Sequence, residues 1–285
     1  MTDWFPFALS ALILMGSQRF LYKVAAERQC ETAPTTLWFM ATVTVISGAA
    51  FVFRGATVPD LRFLLLVSLA NSISFLTATV SHMEALKRLP AGIAYPLIRL
   101  DVVMVVLISL ACFDERISAA QGAGIILGFC AALIIARQRT GGIASIASTR
   151  GFLFVAIAVI AGTGSAVSSR FAAIATDKTA FIALSYGLST MFVAGFGKNH
   201  EQRKPVKGIG GPFLIGISMG LLNVAGYYAY LEGLARGPLS LVTVITGMHF
   251  VVAILLSILI YREKMTPTLL TGIILTVLSL ILLRA

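Results

Sequence analysis

The chain has 285 residues, of which 58% are apolar and 12% are charged, and its mean hydropathy is +0.93. Soluble domains carry about a quarter charged residues and an apolar share below half. A water-soluble globule of this size cannot bury so much apolar side chain, because its surface still needs polar cover. These values exclude a soluble enzyme, a nucleic-acid-binding module, a disordered chain and a fibre. They indicate that the chain uses a lipid bilayer as its solvent.

The net charge of +10 comes from 22 Lys and Arg residues against 12 acidic ones. Basic loops are typical of the cytoplasmic face of membrane proteins. We therefore expect the positive charge to reflect contact with the lipid bilayer, and we expect no nucleic-acid partner. Cys30, Cys112 and Cys130 lack paired metal-ligand spacing, and their odd number does not fit a disulfide framework. We therefore expect no metal and no cofactor. The N-terminus lacks a basic region and a cleavage site, which favours a retained first helix over a signal peptide.

In chain order, runs of about 20 mainly apolar residues predict ten membrane-spanning helices. Their predicted extents are 4–25, 34–53, 61–82, 90–113, 117–136, 151–171, 180–197, 209–231, 238–261 and 267–284. A β-barrel would instead show alternating apolar and polar residues. The uninterrupted apolar runs at 125–136 and 269–283 favour helices. The predicted fold class is all-α and integral to the membrane, and the short connections leave no room for a soluble catalytic domain.

The second half of the chain repeats the first at an offset of 148 residues. Residues 84–127 and 232–275 share 12 identities in 44 positions, including the spacing Glu-x-Leu-x-Arg-x-Pro. Each half, 1–140 and 141–285, holds five predicted spans. Because five is odd, the second half must enter the bilayer from the opposite side, which makes an inverted repeat. Inverted repeats are the usual basis of alternating access, with a substrate site near the midplane.

These features resemble the EamA type of the drug/metabolite transporter superfamily. The resemblance rests on the five-plus-five helices, on the step from Glu84 to Pro90 and its copy from Glu232 to Pro238, and on the later Asp-Glu-Arg and Arg-Glu-Lys. It covers the whole chain. It implies a cavity lined by spans 1, 3, 4, 6, 8 and 9, with spans 5 and 10 at the periphery.

Ionisable residues near the centre of a span are expensive to insert and indicate a functional site. Arg99 and Asp101 lie near the middle of the fourth span, and His249 near the middle of the ninth. The repeat offset places His249 at the position of Asp101. A pseudo-twofold repeat axis would bring the two close, either as a proton-titrating or substrate-ammonium site or as a buried structural pair. A further alternative is that His249 bonds to a backbone carbonyl. As proton-coupling residues, Asp101 and His249 would contact the substrate and also bind and release a proton.

The cationic excess among the embedded residues favours a substrate with a negative group. We expect Arg99, helped by Arg19, to bind that group, since an arginine can hold a carboxylate through two hydrogen bonds. Asp101 would meet an ammonium group. Further substrate contacts are predicted from the amide and aromatic side chains of Asn71, Tyr95, Asn223 and Tyr227. Arg99 could instead neutralise an acid of a neighbouring helix, and Asn71 could equally bond to a neighbouring helix. Lys23 and Arg170 could reach the membrane surface.

The sequence therefore predicts a secondary transporter in the inner cell membrane, moving an amino acid or another carboxylate-bearing metabolite, with no catalytic residues. One alternative is a flippase or exporter of a lipid-linked or phosphorylated head group, and a second is a channel. The remotest is an intramembrane serine protease using Ser165 and His249. A homodimer is possible.

The side of the membrane on which the termini lie stays open. The odd-numbered connections between spans, counted from the N-terminus, carry twelve Lys and Arg residues and the other side carries six. This asymmetry predicts both termini outside. The family resemblance implies both inside.

Overall fold

A computed structural model of the chain describes residues 3–28, 30, 32–86, 88–89, 94, 97–138, 149–196, 211–262 and 265–284. The regular elements within these residues are α-helices. The all-α fold expected from the apolar runs is thus confirmed for the described part of the chain.

We number the helices α1 to α11 in chain order. The first half contains α1 (Phe5–Glu27), α2 (Thr32–Phe53), α3 (Leu61–Leu86), α4 (Leu100–Cys112) and α5 (Ala119–Gln138). The second half contains α6 (Thr149–Ala175), α7 (Lys178–Phe196), α8 (Gly211–Arg236), α9 (Leu239–Gly247), α10 (His249–Tyr261) and α11 (Pro267–Arg284).

Each predicted span overlaps at least one of these helices. Six segments of the described chain are long and apolar enough to cross a bilayer, namely 34–53, 61–85, 149–175, 211–236, 239–261 and 267–284. Two shorter apolar helices lie at Leu100–Cys112 and Ala119–Ile135. Strongly exposed apolar side chains on α2, α6 and α10, such as Val52, Ile160 and Leu259, form a surface suited to lipid tails.

The ninth predicted span is not one continuous helix, which corrects the sequence expectation. It is divided at Met248, whose φ of −80° and ψ of 7° lie outside the α-helical range. The Met248 N–H donates to the Ile245 carbonyl at 3.1 Å, a tighter i to i−3 bond than the α-helix uses. Gly247 and His249 flank Met248, and the mainly apolar runs 239–245 and 250–260 beyond them hide the interruption from a reading of hydropathy.

A matching interruption lies in the first half. Leu97 and Ile98 are helical, Arg99 forms a turn, and α4 begins at Leu100. The Val102 N–H donates to the Arg99 carbonyl at 3.2 Å, again an i to i−3 bond. The repeat offset carries Arg99 to position 247, so the two interruptions differ by one residue. Helices interrupted at corresponding positions of two repeats are typical of transporter binding sites.

The helices pack in pairs that mix the two halves. Helix α3 packs along α6, α1 and α2 pack along α8, and α5 packs along α11. Gly124 of α5 lies directly against the Ser279 carbonyl of α11, and the Ser279 hydroxyl donates to the Gly124 carbonyl at 2.6 Å. Small residues at such crossings let helix backbones approach closely. Because α5 and α11 pair with each other, both lie outside the lining of the central cavity described next.

Candidate functional site

The two interruptions border one cavity of about 280 Å³. Its lining includes Arg99 at the first interruption, and Gly247 and His249 at the second. Other walls come from α1, α3, α6 and α8, as the family resemblance implies. The structure adds two contributors that the resemblance does not imply, Phe39 of α2 and a polar face of α7 that carries Tyr186.

Three charged side chains line this cavity among the described residues: Arg19, Arg99 and Asp101. Arg19 of α1 also lies over the ring of Tyr22, with its guanidinium carbon 5.6 Å from the ring centre. The positive charge of Arg99 acts on Asp101, and the charges of Arg19 and Arg99 both act on His249. Two guanidinium groups against one carboxylate give this part of the cavity a positive balance.

Asp101 and His249 line the same cavity, and each is fixed by its own helix. An Asp101 carboxylate oxygen accepts the Val102 N–H at 2.8 Å, within the first turn of α4. The Nδ1 of His249 lies 2.7 Å from the Thr246 carbonyl. A carbonyl can only accept, so Nδ1 carries the proton and Nε2 is left for other partners. The hydrogen bonds of these two side chains are therefore local, rather than a direct bond between the two repeats.

A network of amide and hydroxyl groups joins three helices on another wall. The buried Asn71 amide of α3 lies within hydrogen-bond distance of the hydroxyls of Ser165, Ser168 and Ser169 of α6, at 3.0 to 3.3 Å. The Ser169 hydroxyl lies 2.9 Å from the Tyr227 hydroxyl of α8. These interhelical contacts place Asn71 and Tyr227 on the cavity wall. For Asn71 they match the alternative that the sequence left open, a hydrogen bond to a neighbouring helix.

Aromatic rings surround this network. Tyr227 stacks on Tyr230 with ring centres 5.8 Å apart, and it meets Tyr186 edge to face at 6.0 Å. Tyr186 also contacts Phe39 and Phe75, with ring centres at 5.9 Å and 6.3 Å. The arrangement gives the cavity a rigid apolar side beside its polar groups, as small-molecule sites generally have.

Asn223 of α8 lies on the cavity wall beside α1. Its amide nitrogen donates to the Gln18 side-chain oxygen at 3.1 Å, and both residues are buried. The Gln18 nitrogen in turn lies 3.5 Å from the Tyr22 hydroxyl. Gln18 is a site residue that the sequence reasoning missed, although a neutral polar side chain in the middle of an apolar run was the available signal.

Seven of the eight predicted substrate-binding residues line the cavity, namely Arg19, Asn71, Arg99, Asp101, Asn223, Tyr227 and His249. The eighth, Tyr95, lies outside the described residues. Lys23 and Arg170 are engaged elsewhere: Lys23 hydrogen-bonds to Ser257, and Arg170 donates to the Gly237 carbonyl at 2.7 Å. The arrangement brings the predicted residues together, and their binding of a substrate stays a prediction.

The remote protease hypothesis requires a hydrogen bond between Ser165 and His249. The Ser165 hydroxyl instead lies near the Asn71 amide, and the His249 Nδ1 faces the Thr246 carbonyl. The observed partners of these two side chains support packing and cavity lining for both.

Comparison with known proteins agrees with this architecture. The sequence model of the EamA-like transporter family matches residues 3–137 and again residues 149–285. No curated protein matches the sequence. Among 29 matching chains of solved structures, one crystal structure aligns over 99% of this chain and 96% of its own, with a TM-score of 0.80 and 19% sequence identity. That similarity shows a shared fold. The two matches to the family cover nearly the whole sequence, and the chain belongs to the EamA-like transporter family, whose members are membrane transporters of the drug/metabolite superfamily.

Proposed function

We propose that the chain is a secondary transporter that moves a small polar metabolite bearing a carboxylate by alternating access. In this proposal ten spans form two inverted five-helix repeats, 1–140 and 141–285. The observation that carries the proposal is the cavity at the two interrupted helices. In many secondary transporters, helices that are interrupted at corresponding positions of the two repeats bind the substrate near the midplane. Their free backbone groups and helix ends face the site.

The charge of the cavity supports a substrate with a negative group. Arg99 lies at the interruption before α4, and Arg19 approaches from α1. A guanidinium group can hold a carboxylate through two parallel hydrogen bonds. Asp101 would receive an ammonium group if the substrate is an amino acid. A purely cationic substrate would meet two positive charges and one negative charge.

The test is a thermal-shift screen of the purified protein in detergent with zwitterionic, anionic and cationic metabolites. Wild type is compared with Arg99→Ala and with Arg54→Ala, a matched control at an exposed arginine outside the cavity. A ligand at 100 times its Kd should stabilise the protein by about 2.7 kcal/mol. We expect zwitterions or anions to shift wild type and the control but not Arg99→Ala. Shifts by cations alone would refute the charge argument and make Asp101, with the tyrosines, the anchor.

A second candidate function is the movement of a lipid-linked or phosphorylated head group. It is favoured by a small apolar pocket of about 30 Å³ that shares Arg99 and Gly247 with the main cavity and reaches Phe129 of α5. The pocket has room for about one water molecule, so a lipid tail would follow this path only when the surrounding helices move apart. Adding a phosphorylated head group with and without its acyl chains to the same screen separates the two candidates, since only the flippase should prefer the acylated form.

We propose an inner-membrane location with both termini inside, in line with the family resemblance, and we include a homodimer as a proposal. The termini can be tested by placing single cysteines at 198–207 in a variant without Cys30, Cys112 and Cys130. Reaction of such a cysteine with a membrane-impermeant reagent in intact cells agrees with termini inside. Protection from the reagent would support the charge asymmetry instead. Light scattering of the purified protein tests the homodimer.

A further inference from the structure

We propose that Met248 is a positioning residue for the cavity, and that helix α5 sets the geometry of the site through it without lining it. The proposal rests on the proposed function in that the cavity must bind a substrate. It gives a role in the site to the pair of α5 and α11, which the family resemblance places at the periphery.

Met248 lies behind the cavity wall. Its neighbours Gly247 and His249 line the cavity, whereas Met248, at the interruption between α9 and α10, is not among the lining residues. Met248 is nonetheless only 2% exposed, so its side chain is packed away from the cavity. A residue with this arrangement can fix the interruption from outside while its two neighbours face the site.

The side chain of Met248 occupies a notch in α5 that exists because Gly128 has no side chain. A Cβ at Gly128 would overlap the terminal carbon of Met248 and would lie 3.6 Å from its sulfur. The same Cβ would lie 2.9 Å from the Ser279 hydroxyl oxygen of α11. The unbranched methionine side chain suits such an irregular gap. The interruption is therefore seated on α5, beside α11.

The notch belongs to a closely packed pair of helices. The Ser279 hydroxyl donates to the carbonyl of Gly124, which lies one turn before Gly128. A Cβ at Gly124 would lie 3.1 Å from the Ser279 carbonyl oxygen, so the two backbones approach closely here. Close-packed interiors have little room to adjust and transmit displacements to their neighbours. We therefore expect the position of the notch to fix the position of Met248.

The interruption borders groups of both repeats. His249 follows Met248 directly and carries one wall of the cavity. A Cβ at Gly247 would lie 3.5 Å from the Val102 side chain of α4, and Val102 directly follows Asp101. A displacement of Met248 would thus move His249 and also the contact between the second interruption and α4.

The experiment fills the notch and then empties it again. Gly128→Val adds about as many heavy atoms as Met248→Ala removes, so the double variant restores the packed volume that each single variant disturbs. In Gly128→Val the Met248 side chain must leave the notch and displace the interruption. In Met248→Ala the notch is empty and the interruption loses its support. Each single variant should therefore alter the site, and the double variant should restore it.

The first readout needs no ligand. The reporter is Gly247→Cys in the cysteine-free variant described above, and its rate of reaction with a small charged methanethiosulfonate in detergent reports the position of the interruption. The new Cβ has the Val102 side chain as its nearest obstacle, at an ordinary contact distance. Gly128→Val and Met248→Ala should each change this rate at least about fivefold, and the double variant should return it to within about twofold.

The second readout is the Kd of 3-phenylpropionate in the protein with its natural cysteines. This probe has a carboxylate for the arginines and a ring that suits the aromatic side of the cavity. Gly128→Val and Met248→Ala should each weaken its binding at least about fivefold, because the displaced wall no longer meets the bound ligand. The double variant should recover binding to within about twofold of wild type.

Two controls in α5 separate positioning from packing. Gly122→Val makes the same substitution where a Cβ would meet open space, and it should leave both readouts unchanged. Gly124→Ala crowds α11, to which the three nearest obstacles of its Cβ belong. That contact is tight without overlap, so α11 can give way alone. Gly124→Ala should lower the unfolding midpoint but change each readout by less than about twofold.

The outcomes separate this inference from the proposed function. An unchanged thiol rate in both single variants, or a change that the double variant does not reverse, would overturn the inference. So would an equal change in Gly124→Ala, since general loosening of the helices would then explain it. If 3-phenylpropionate binds no variant, wild type included, while the thiol rates follow the expected pattern, the carboxylate proposal is contradicted and the inference stands.

Gly128→Val could fail to fold because the notch is tight. A folded double variant would then itself support the inference, because removal of the Met248 side chain would have relieved the overlap. Gly128→Ala, whose single added carbon meets the same Met248 atom, takes its place in both readouts. Its effects should be smaller and should again disappear in combination with Met248→Ala, and effects that persist in that combination would overturn the inference.

Discussion

The carboxylate of Glu115, in the connection between α4 and α5, caps the start of α9 through Ser240. Both the N–H and the hydroxyl of Ser240 donate to one Glu115 oxygen, at 3.1 Å and 2.6 Å, and the Leu239 N–H donates to the other. The residue before α9 is Pro238, which offers no side-chain cap. A residue of the first half thus satisfies the free backbone N–H groups of a helix of the second half, where a negative charge is favourable.

Glu115→Gln should therefore destabilise the protein. The amide retains one acceptor oxygen, but its NH₂ group faces backbone N–H donors and the negative charge is lost. We expect a loss of about 1–2 kcal/mol, measured by thermal or denaturant unfolding in detergent. The control is Asp114→Asn, an adjacent and exposed acid at a φ of 50°, a conformation that asparagine tolerates. Equal unfolding midpoints for the two variants would contradict the capping role.

Asp101→Asn should retain the binding of substrates without an ammonium group but lose any dependence of uptake on an imposed proton gradient. Asp101 is the single carboxylate lining the cavity among the described residues, and an amide cannot exchange a proton with the substrate site. The measurement is uptake into proteoliposomes with and without a pH gradient, with Asp114→Asn as the control. Gradient-dependent uptake that survives in Asp101→Asn and disappears in His249→Gln would transfer the coupling role to His249.

The spans were predictable because a run of about 20 apolar residues has few other stable environments than lipid. The gathering of Arg99, Asp101 and His249 was foreseeable for a related reason, since buried charges are expensive and cluster where a site needs them. The interruption at Met248 was not predicted, although Gly247 and His249 lie directly beside it, because the high hydropathy of the whole span favoured one continuous helix.

Neutral polar groups were the other gap in the sequence reasoning. Tyr186 and Gln18 carry no charge, so their insertion cost is small and they did not stand out beside Arg19. Their function depends on which neighbour each faces. Gln18 meets Asn223 from 205 positions away, a relationship that only packing of α1 on α8 creates.

Gly16 and Gly122 provide a matched pair of substitutions for the helix crossing that supports His249. A Cβ at Gly16 would lie 2.7 Å from the His249 carbonyl oxygen and 2.5 Å from the Cβ of Val252, whereas a Cβ at Gly122 would meet open space. Gly16→Ala must push α1 and α10 apart, because a backbone oxygen cannot rotate away as a side chain can. We expect a loss of about 1–3 kcal/mol and weaker ligand binding, since the cavity wall moves with His249.

Gly122→Ala should instead be neutral or stabilise α5 by up to about 1 kcal/mol, the ordinary preference of a helix for alanine over glycine. Gly164→Ala should fall between the two, because its closest obstacle is the Ser74 hydroxyl at 3.0 Å, a side-chain atom that can rotate. Unfolding midpoints in detergent should therefore decrease in the order Gly122→Ala, Gly164→Ala, Gly16→Ala. If Gly122→Ala were as damaging as Gly16→Ala, close approach of α1 to α10 would not explain the effect, and a general sensitivity of the helices to added volume would explain it better.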